Sequence, residues 1–394
     1  MKTIIKSIVI FIFISAISLE AQIAVKGEKI YTMNGTMISN GIILIKDSKI
    51  EKVGSASEVK IPENYKILEG KVITPGLIDV HSVVGLAGIY NQKHDQDQLD
   101  TTDPIQPELR AIDAYNPKEE LVEYLNMLGV TTINTGHAPG ALCSGQTMIV
   151  KTTGQFEGAV MRKESAVVFS LGSEVSDQFK SPGTRPKGIA MIRSAFVEAQ
   201  NYAQKEKKGE APKNLKYEAL LQVLNKKVPA IITANTVVDI MGALRLAEEF
   251  KFNLILDGAA EAYLVIDQIK AAKIPVILHA QMARTKNASF ETAKLLSDND
   301  ILFAIQGGYE SYVPKTRVVL FEAAIAVANG LDYEEGLATI TTNPAKILNI
   351  SDKVGSIEKG KDADIVIFDG DPFEYTTHVC QVLVNGAIIK SECK

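Results

Sequence analysis

A single histidine after an apolar stretch is the first group in this sequence that could do chemistry. Residues 79–83 read Asp-Val-His-Ser-Val, which places His81 where a β-strand is predicted to end. Two histidines at positions i and i+2 of a strand point to the same side, about 7 Å apart, and can hold one divalent metal ion. The second of these positions is Val83. The segment therefore provides only one of the two histidine ligands of such a metal site.

A polar loop follows this strand. Residues 91–100 are dense in donors and acceptors and include His94, Asp95 and Asp97. A solvated surface loop is one interpretation, whereas the glycines just before the loop favour an ordered path. Loops of this kind build the active sites of barrel proteins. We therefore take His94 as a candidate catalytic group and the two aspartates as candidates for substrate binding.

Other polar groups stand at the ends of later predicted strands. His137 ends one of them and is followed closely by Cys143, Ser144 and Gln146. A nucleophilic pair of His137 with Cys143 or Ser144 stays open, because it needs hydrogen-bond reach and an oxyanion hole. His279 ends another apolar strand, as a site group or as a buried core residue. The catalytic candidates are His81, His94 and His137, and the substrate-binding candidates are Asp95, Asp97, Gln146, Asn235, Asp257 and His279.

The elements that must position these groups follow from the hydrophobic pattern. Short apolar runs separated by turns fill residues 23–73 and return after residue 363, which predicts β-hairpins at both ends. Between them apolar strands alternate with longer helical segments, a pattern typical of βα units in a parallel sheet. The predicted architecture is a (β/α)₈ barrel of the TIM type over 76–349 and a small β-sandwich domain formed jointly by 22–75 and 350–394.

Two motifs carry a family resemblance. Residues 70–81 read GKVITPGLIDVH, and residues 341–348 read TTNPAKIL, followed by VGSIEKGKDAD at 354–364. Together they resemble the amidohydrolase superfamily, in particular its imidazolonepropionase-like branch. The resemblance implies a distorted barrel inserted into a β-sandwich, hydrolysis of carbon–nitrogen bonds other than peptide bonds, and a binuclear divalent metal centre.

The ligand positions that this resemblance implies are altered. The second histidine of the first strand is Val83, and the carboxylated lysine of the fourth strand falls at Val168. The remaining positions hold Thr233 or Asn235 on the fifth strand, Asp257-Gly258 on the sixth and Gln306-Gly307-Gly308 on the eighth. Of these only Asp257 coordinates metals well. An activated metal-bound water needs about three to five protein ligands and an open position, so we predict no metal cofactor; the alternative is a single divalent metal such as zinc.

Two functions fit these observations. The first is a hydrolase with a rebuilt, metal-poor site around His81, His94 and His137. The second is a catalytically inactive homologue that binds a ligand or supports an active paralogous hydrolase. A geometric condition separates them in part, because any mechanism with several histidines requires His81, His94, His137 and His279 to converge. The fold alone does not decide between the two.

Composition and the N-terminus bear on partners and location. Lys2 and Lys6, the apolar run 8–19 and Ala21 have the layout of a secretory signal peptide over 1–21, which predicts an exported, periplasmic or secreted protein. No later stretch is apolar enough to span a membrane. A net charge of −5 disfavours nucleic acid and anionic membranes, so a small-molecule or short peptide-like substrate is expected. An assembly with itself or with a related amidohydrolase stays open.

The cysteines allow at most one disulfide. The chain holds Cys143, Cys380 and Cys393, whose wide spacing matches no zinc motif. A bond between Cys380 and Cys393 and three free thiols are the two alternatives.

Overall fold

The computed structural model describes residues 22–90, 92–278, 287–309, 318–390 and 392–393. The predicted signal peptide at 1–21 and the candidate His279 lie outside the described residues. Within the described ranges no helix has both the length and the apolar character needed to cross a membrane. Cys380 and Cys393 form a disulfide, and Cys143 is a buried free thiol, so the predicted pairing is confirmed and three free thiols are excluded.

The strands are short and mostly buried, as the apolar runs predict. They are β1 (Ile23–Ile30), β2 (Ile38–Lys46), β3 (Lys49–Ser55), β4 (Lys66–Pro75), β5 (Leu77–Ser82), β6 (Val130–Gly136), β7 (Cys143–Lys151), β8 (Val160–Ser170), β9 (Ala230–Ala234), β10 (Leu254–Gly258), β11 (Val276–Leu278), β12 (Phe303–Ile305), β13 (Ile365–Phe368), β14 (Val379–Val384) and β15 (Ala387–Lys390).

The helices follow the strands of the central region. They are α1 (Glu120–Met127), α2 (Ser173–Gln178), α3 (Arg185–Glu206), α4 (Leu215–Leu224), α5 (Val237–Phe250), α6 (Ile266–Ala272), α7 (Thr292–Asp298), α8 (Val319–Ala328), α9 (Tyr333–Ala338) and α10 (Thr342–Ile347). Their starts carry the expected caps in several cases: the Thr236 side chain accepts from the backbone N–H of Asp239 at the start of α5, which satisfies a donor left free by the first helical turn.

Both ends of the chain contribute to one seven-stranded sheet of order β15-β14-β13-β4-β1-β2-β3. β13 pairs antiparallel with β4, with Ile365 opposite Pro75, and so joins the C-terminal strands to the N-terminal ones. The predicted contribution of both termini is therefore present in a single hydrogen-bonded sheet. Its packing as a two-layered sandwich and the domain boundaries given above stay predictions.

The remaining eight strands form a nearly closed barrel sheet, and they follow one another in chain order from β5 to β12. The two edge strands β5 and β12 approach each other. The backbone N–H of Gly307, just after β12, donates to the Asp79 carboxyl of β5 at 3.2 Å. The prediction of a mixed α/β fold with an eight-stranded barrel sheet is therefore confirmed.

One strand departs from the predicted βα repeat. β7 is antiparallel to both β6 and β8, whereas every other pair of neighbours in the barrel sheet is parallel. Only residues 137–142 separate β6 from β7, and a parallel crossover needs a dozen or more residues. The prediction of uninterrupted βα units is therefore wrong between β6 and β8.

The lower part of the barrel is a packed apolar layer. Ile231, Ile255 and Ala304 belong to one buried cluster that α10 closes through Ala345. In a strand, residues two apart point to the same side. Thr233, Asp257 and Gln306 each follow one member of this layer by two residues, so they form the next layer toward the C-terminal ends of the strands, where barrel active sites lie.

Candidate functional site

A buried carboxylate organises the polar layer at the mouth of the barrel. Asp257 at the end of β10 has no exposed surface. Its Oδ2 accepts from the Thr233 hydroxyl at 2.5 Å and also from the Tyr309 hydroxyl. Its Oδ1 accepts from Nε2 of Gln306 at 2.8 Å. Both oxygens of this carboxylate are therefore engaged by donors from the protein itself.

His81 completes the cluster. Its Nδ1 lies 3.3 Å from Oδ2 of Asp257 and 3.1 Å from the Tyr309 hydroxyl, and its Nε2 lies 3.3 Å from the backbone oxygen of His137. Burial alone would raise the pKa of Asp257, but the positive charge that His81 can carry and the hydrogen bonds of its partners hold that pKa below its ordinary value. Asp257 is thus an anion that the surrounding side chains stabilise. We call Asp257 and its four partners (His81, Thr233, Gln306 and Tyr309) the Asp257 cluster.

Asp79 lies on the same strand as His81 but has a different environment. It is 2 % exposed, and its carboxyl accepts from the backbone N–H groups of His81 and Gly307 at 3.3 and 3.2 Å. Burial raises its pKa to about 7, although both backbone donors oppose that shift. Asp79 therefore connects the two edges of the barrel sheet and exchanges its proton near neutral pH.

Glu174, in the first turn of α2, is a second carboxyl that titrates near neutral pH. Asn235 donates its side-chain N–H to Oε1 of Glu174 at 2.7 Å. The other oxygen, Oε2, is buried and has no hydrogen-bond partner among the described residues. Burial first, and then the negative charge of Asp257, raise the pKa of Glu174 to about 7. Such a group can take up and release a proton under physiological conditions.

His137 is buried against the antiparallel strand β7. It is 5 % exposed, and neither ring nitrogen has a hydrogen-bond partner among the described residues. A Cβ atom added at Gly145 would lie 2.3 Å from Cδ2 of this ring. Burial lowers the pKa of His137 to about 4, which exceeds the opposing effect of nearby backbone groups and of Asp100. The ring is therefore neutral at pH 7.

The nucleophilic pairs left open by the sequence do not form in the described structure. The Ser144 hydroxyl is buried without a hydrogen-bond partner, and no hydrogen bond joins His137 to Cys143. Burial raises the pKa of the Cys143 thiol well above its ordinary value, so the thiol does not ionise readily. This arrangement does not supply an activated thiolate or alkoxide.

The predicted site residues separate into two groups. His81, Asp257 and, through the His137 backbone, His137 lie together, and Asn235 joins them through Glu174. His94 is exposed in a short 3₁₀ turn, and among the described residues no hydrogen bond or ion pair links it to His81. The condition that four histidines converge is not met by His94, which is exposed in its loop, and His279 lies outside the described residues.

The loop aspartates and Gln146 have local partners. Asp95 accepts from the side chain of Gln96 at 3.1 Å, and the backbone of Asp97 donates to Leu86 at 2.9 Å. Gln146 donates to the backbone oxygen of Pro107 at 2.9 Å, while its Oε1 is buried without a partner in the described residues. These contacts order the loops around the mouth, and the assignment of the three residues to substrate binding stays a prediction.

Three groups of the site were missed by reasoning from the sequence: Asp79, Glu174 and Tyr309. Asp79 stood inside the quoted motif, but nothing in the motif indicates a carboxyl with a raised pKa. Tyr309 follows the Gly307-Gly308 pair that was noted as an altered position. Glu174 opens the first helix after β8, a position that often faces a barrel mouth. Only their contacts in the folded chain distinguish these residues from other polar residues nearby.

The chain is similar to known proteins in both sequence and fold. A sequence profile described as "Amidohydrolase family" matches residues 314–393. The amidohydrolase tasK of Hapsidospora irregularis is 26 % identical over 400 residues, which are 90 % of this chain but 39 % of that protein. The imidazolonepropionase of Bacillus cytotoxicus is 24 % identical over 398 residues, 89 % of each chain. The crystal structure of an amidohydrolase from Thermotoga maritima superimposes with a TM-score of 0.87 at 29 % identity, over 94 % of this chain and all of that one.

The chain belongs to the amidohydrolase superfamily and is imidazolonepropionase-like. Proteins of this superfamily usually bind a divalent metal such as zinc. The residues at the expected ligand positions do not fit such a centre. Val83 and Val168 offer no ligand atom, and the Asp257 oxygens are engaged by protein donors. Across the described part of the chain, no three ligand atoms of His, Cys, Asp or Glu meet at the mouth of the barrel.

Proposed function

We propose that this protein is a hydrolase of carbon–nitrogen bonds other than peptide bonds whose site works without the binuclear metal centre of its superfamily. The observation that carries the proposal is the pairing of the Asp257 cluster with Glu174. The cluster occupies the layer in which the superfamily holds its metal, and Glu174 provides a buried proton-transfer group with a pKa of about 7 beside it. Family membership supports the hydrolase class.

The chemistry of the proposal is general acid–base catalysis. Oε2 of Glu174 has no partner among the described residues, so it is available to accept a proton from a water molecule. That water attacks the carbonyl or amidine carbon of the substrate, and the protonated Glu174 then returns the proton to the nitrogen that leaves. Asn235 holds Glu174 through its other oxygen. General acid–base catalysis of this kind contributes roughly 10²–10⁴-fold to a rate.

The proposed substrate is a small molecule or a short peptide-like compound. The mouth is rich in uncharged hydrogen-bonding groups and in carboxyl groups, such as Gln146, Asn235 and Glu174. The remaining parts of the proposal come from the sequence: export to the periplasm or outside the cell through residues 1–21, no nucleic-acid partner, and assembly with itself or with a related amidohydrolase.

The alternative is a catalytically inactive homologue that binds a ligand or supports an active paralogous hydrolase. One observation favours it. Both oxygens of Asp257 accept hydrogen bonds from the protein itself, which favours a structural role for this carboxylate over activation of water. The two ring nitrogens of His137, which have no partner among the described residues, suit recognition of a polar ligand as well as they suit catalysis.

The deciding experiment combines metal analysis with turnover. The purified protein is freed of metal with a chelator, assayed by mass spectrometry for zinc, nickel and manganese, and tested on amides, lactams, cyclic imides and dipeptides. The proposal expects hydrolysis of at least one amide or lactam, unchanged by chelation and reduced at least 100-fold in Glu174→Gln. Stoichiometric metal that is lost in His81→Ala, together with metal-dependent turnover, would show instead that a working metal centre remains. Specific ligand binding without turnover of any substrate favours the inactive homologue.

A further inference from the structure

A cluster of sulfur, carboxylate and imidazole groups lies on the terminal sheet, on a different sheet from the barrel mouth. Asp369 follows β13, and His378 precedes β14, so the two residues face each other where this antiparallel pair begins. The His378 backbone N–H donates to Oδ1 of Asp369 at 2.7 Å, and Nδ1 of the His378 ring lies 3.0 Å from Oδ2. Cys380 on β14 and Cys393 after β15 complete the cluster.

The three nearest candidate ligand atoms of this cluster lie close together, and two of them are joined in the disulfide. The Sγ atoms of Cys380 and Cys393 and one carboxylate oxygen of Asp369 all lie within 4.8 Å of one another. The Cys393 sulfur is 3.6 Å from Oδ2 of Asp369. Tetrahedral zinc with bonds of about 2.3 Å to sulfur and about 2.0 Å to oxygen separates its ligand atoms by roughly 3.5–3.8 Å. After reduction the two sulfurs must therefore move apart from bonding distance to this spacing, whereas Cys393 and Asp369 already have it.

The surroundings fix the orientation of the carboxylate. Both the backbone N–H and the ring of His378 contact Asp369, one at each carboxylate oxygen. A histidine that orients a ligating carboxylate is a common feature of metal sites, and its loss typically weakens binding 10–100-fold. The cluster also faces a cavity of about 750 Å³ that reaches solvent, lined by Lys71, Asp369, Cys380 and Cys393 among others, so an ion can enter.

We propose that Cys380, Cys393 and Asp369 form a zinc site that is available only when the Cys380–Cys393 disulfide is reduced, with His378 as the positioning residue. In the oxidised chain the two sulfurs are bonded to each other and do not act as thiolate ligands. A dithiol reductant gives two electrons and two protons to the bond, which yields two thiols and leaves the reductant as a disulfide. Zinc then replaces both thiol protons, and water fills the fourth position.

As a consequence, the disulfide and the zinc ion are two mutually exclusive cross-links of the C-terminal residues. Cys393 lies beyond β15, the edge strand of the seven-stranded sheet. Under oxidising conditions the disulfide ties the residues after β15 to β14, and under reducing conditions the metal makes the same connection. The proposal is independent of the barrel site, because none of its residues contacts the Asp257 cluster.

The test compares the oxidised and the reduced protein, which has no other disulfide among its described residues. The full chain without residues 1–21 is reduced with a phosphine, separated from the reductant and titrated with Zn²⁺ against a chromogenic chelator. We expect one equivalent bound with a dissociation constant below about 10⁻⁷ M, two reactive thiols lost on binding, and a thiolate-to-metal charge-transfer band with Co²⁺. The oxidised protein is expected to show none of the three.

Matched variants locate the site. Cys393→Ser is expected to weaken zinc binding at least 100-fold, and Asp369→Asn and His378→Ala each 10–100-fold. Cys143→Ser is the control, because this thiol is buried elsewhere and its loss leaves binding unchanged. Circular dichroism checks that each variant is folded. Equal zinc binding in both redox states, no binding by the reduced chain, or undiminished binding by folded Cys393→Ser each overturns the proposal.

Discussion

Two carboxyl groups in the barrel have pKa values near 7, and in both cases burial is the main cause. Their surroundings differ, and the difference distinguishes a structural role from a role in proton transfer. Asp79 has backbone donors to both oxygens, whereas Glu174 leaves one buried oxygen without a partner among the described residues. A group with free hydrogen-bonding capacity can act on a substrate or a water molecule. We therefore assign proton transfer to Glu174 and a structural role to Asp79.

Replacing Glu174 by Gln is expected to abolish the ionisation of this group while keeping its size and its contact with Asn235. With the amide or lactam found by the substrate screen, kcat/KM should fall 10²–10⁴-fold, and the limb of the pH profile near 7 should disappear. An infrared band of a protonated carboxyl, present in the parent protein at pH 6, should lose intensity in the variant. Asp352→Asn, which removes an exposed carboxyl that does not contribute to the raised pKa of Glu174, is the control. A profile that keeps its limb near pH 7 in Glu174→Gln would argue against the assignment.

Asp79 makes a prediction about stability. Its pKa is about 7 in the folded protein and about 4 in an unfolded chain. Between these values the folded state binds the extra proton, so the free energy of unfolding falls as the pH rises through this window, by about 1.4 kcal/mol per pH unit. Across this window Asp79 lowers the free energy of unfolding by roughly 4 kcal/mol in all. In Asp79→Asn this contribution is expected to be absent. Urea unfolding at pH 4.5 to 7.5 measures it.

The exposed Asp352 provides the comparison for that experiment. Asp352→Asn removes a carboxyl of the same type at the surface and should leave the slope of stability against pH unchanged. Glu174 contributes its own slope in the same window, so the Asp79 variant should lose only part of the total pH dependence. An Asp79→Asn curve parallel to that of the parent protein would contradict the raised pKa of Asp79.

At the level of elements, the antiparallel strand β7 determines how His137 is held. β7 returns directly after β6, and Gly145 on it lies under the His137 ring with φ of +136°. If a crossover helix followed β6 instead of β7, the backbone of Gly145 would not pack against the His137 ring. The close approach requires a residue without a side chain, and the positive φ favours glycine as well.

Gly145→Ala is expected to displace the His137 ring. The added Cβ would lie 2.3 Å from Cδ2 of His137 and 2.8 Å from the Leu109 backbone oxygen, so we expect a loss of about 2–4 kcal/mol in the free energy of unfolding. Gly158→Ala is the matched control: its φ of +71° is also positive, but no atom lies within 4 Å of the added Cβ. It should cost only about 1 kcal/mol.

A double-mutant cycle tests whether His137 causes the difference. If the clash with the ring dominates, Gly145→Ala combined with His137→Ala should be less destabilised than the sum of the two single changes, by about 1 kcal/mol or more. Additive effects would instead assign the strain to the backbone of β7 and to Leu109.

The sequence predicted those elements whose signal is local. Apolar runs predicted the strands at both ends and the barrel strands β9 to β11, and the position of Asp257 at a strand end was predicted correctly. The direction of β7 was not predicted, because an apolar strand has the same composition in either direction; only the short connection 137–142 indicates it. The contacts of Tyr309 and Glu174 depend on where loops return in space, which residue spacing does not encode. The exposure of His94 was not predictable for the same reason, and its catalytic role stays a prediction.

At the scale of the whole molecule, a buried lysine forms ion pairs between the barrel and the terminal sheet. Lys151, at the end of β7, is 2 % exposed. Its Nζ forms an ion pair with Asp364 and lies 3.1 Å from Oδ2 of Asp362, and both aspartates directly precede β13. Burial alone would raise the pKa of Asp362, but the positive charge of Lys151 and the hydrogen bond from Lys49 hold it below its ordinary value. One buried positive charge therefore connects the two sheets, in addition to their shared apolar core.

Lys151→Ala is expected to leave two carboxylates facing each other without that charge and to lower the free energy of unfolding by about 3–5 kcal/mol at pH 7. Lys49→Ala is the matched control, because Lys49 contacts the same Asp362 at 2.5 Å but is half exposed, so its loss should cost at most about 1 kcal/mol. Lys151 contributes the largest effect that lowers the folded-state pKa of Asp362, and Lys49 adds to it. Protonating the carboxyls near pH 4 should therefore remove much of the difference between Lys151→Ala and the parent protein. Urea unfolding at pH 7 and pH 4 measures both effects, and a loss of similar size in the two variants would show that the buried pair does not join the sheets.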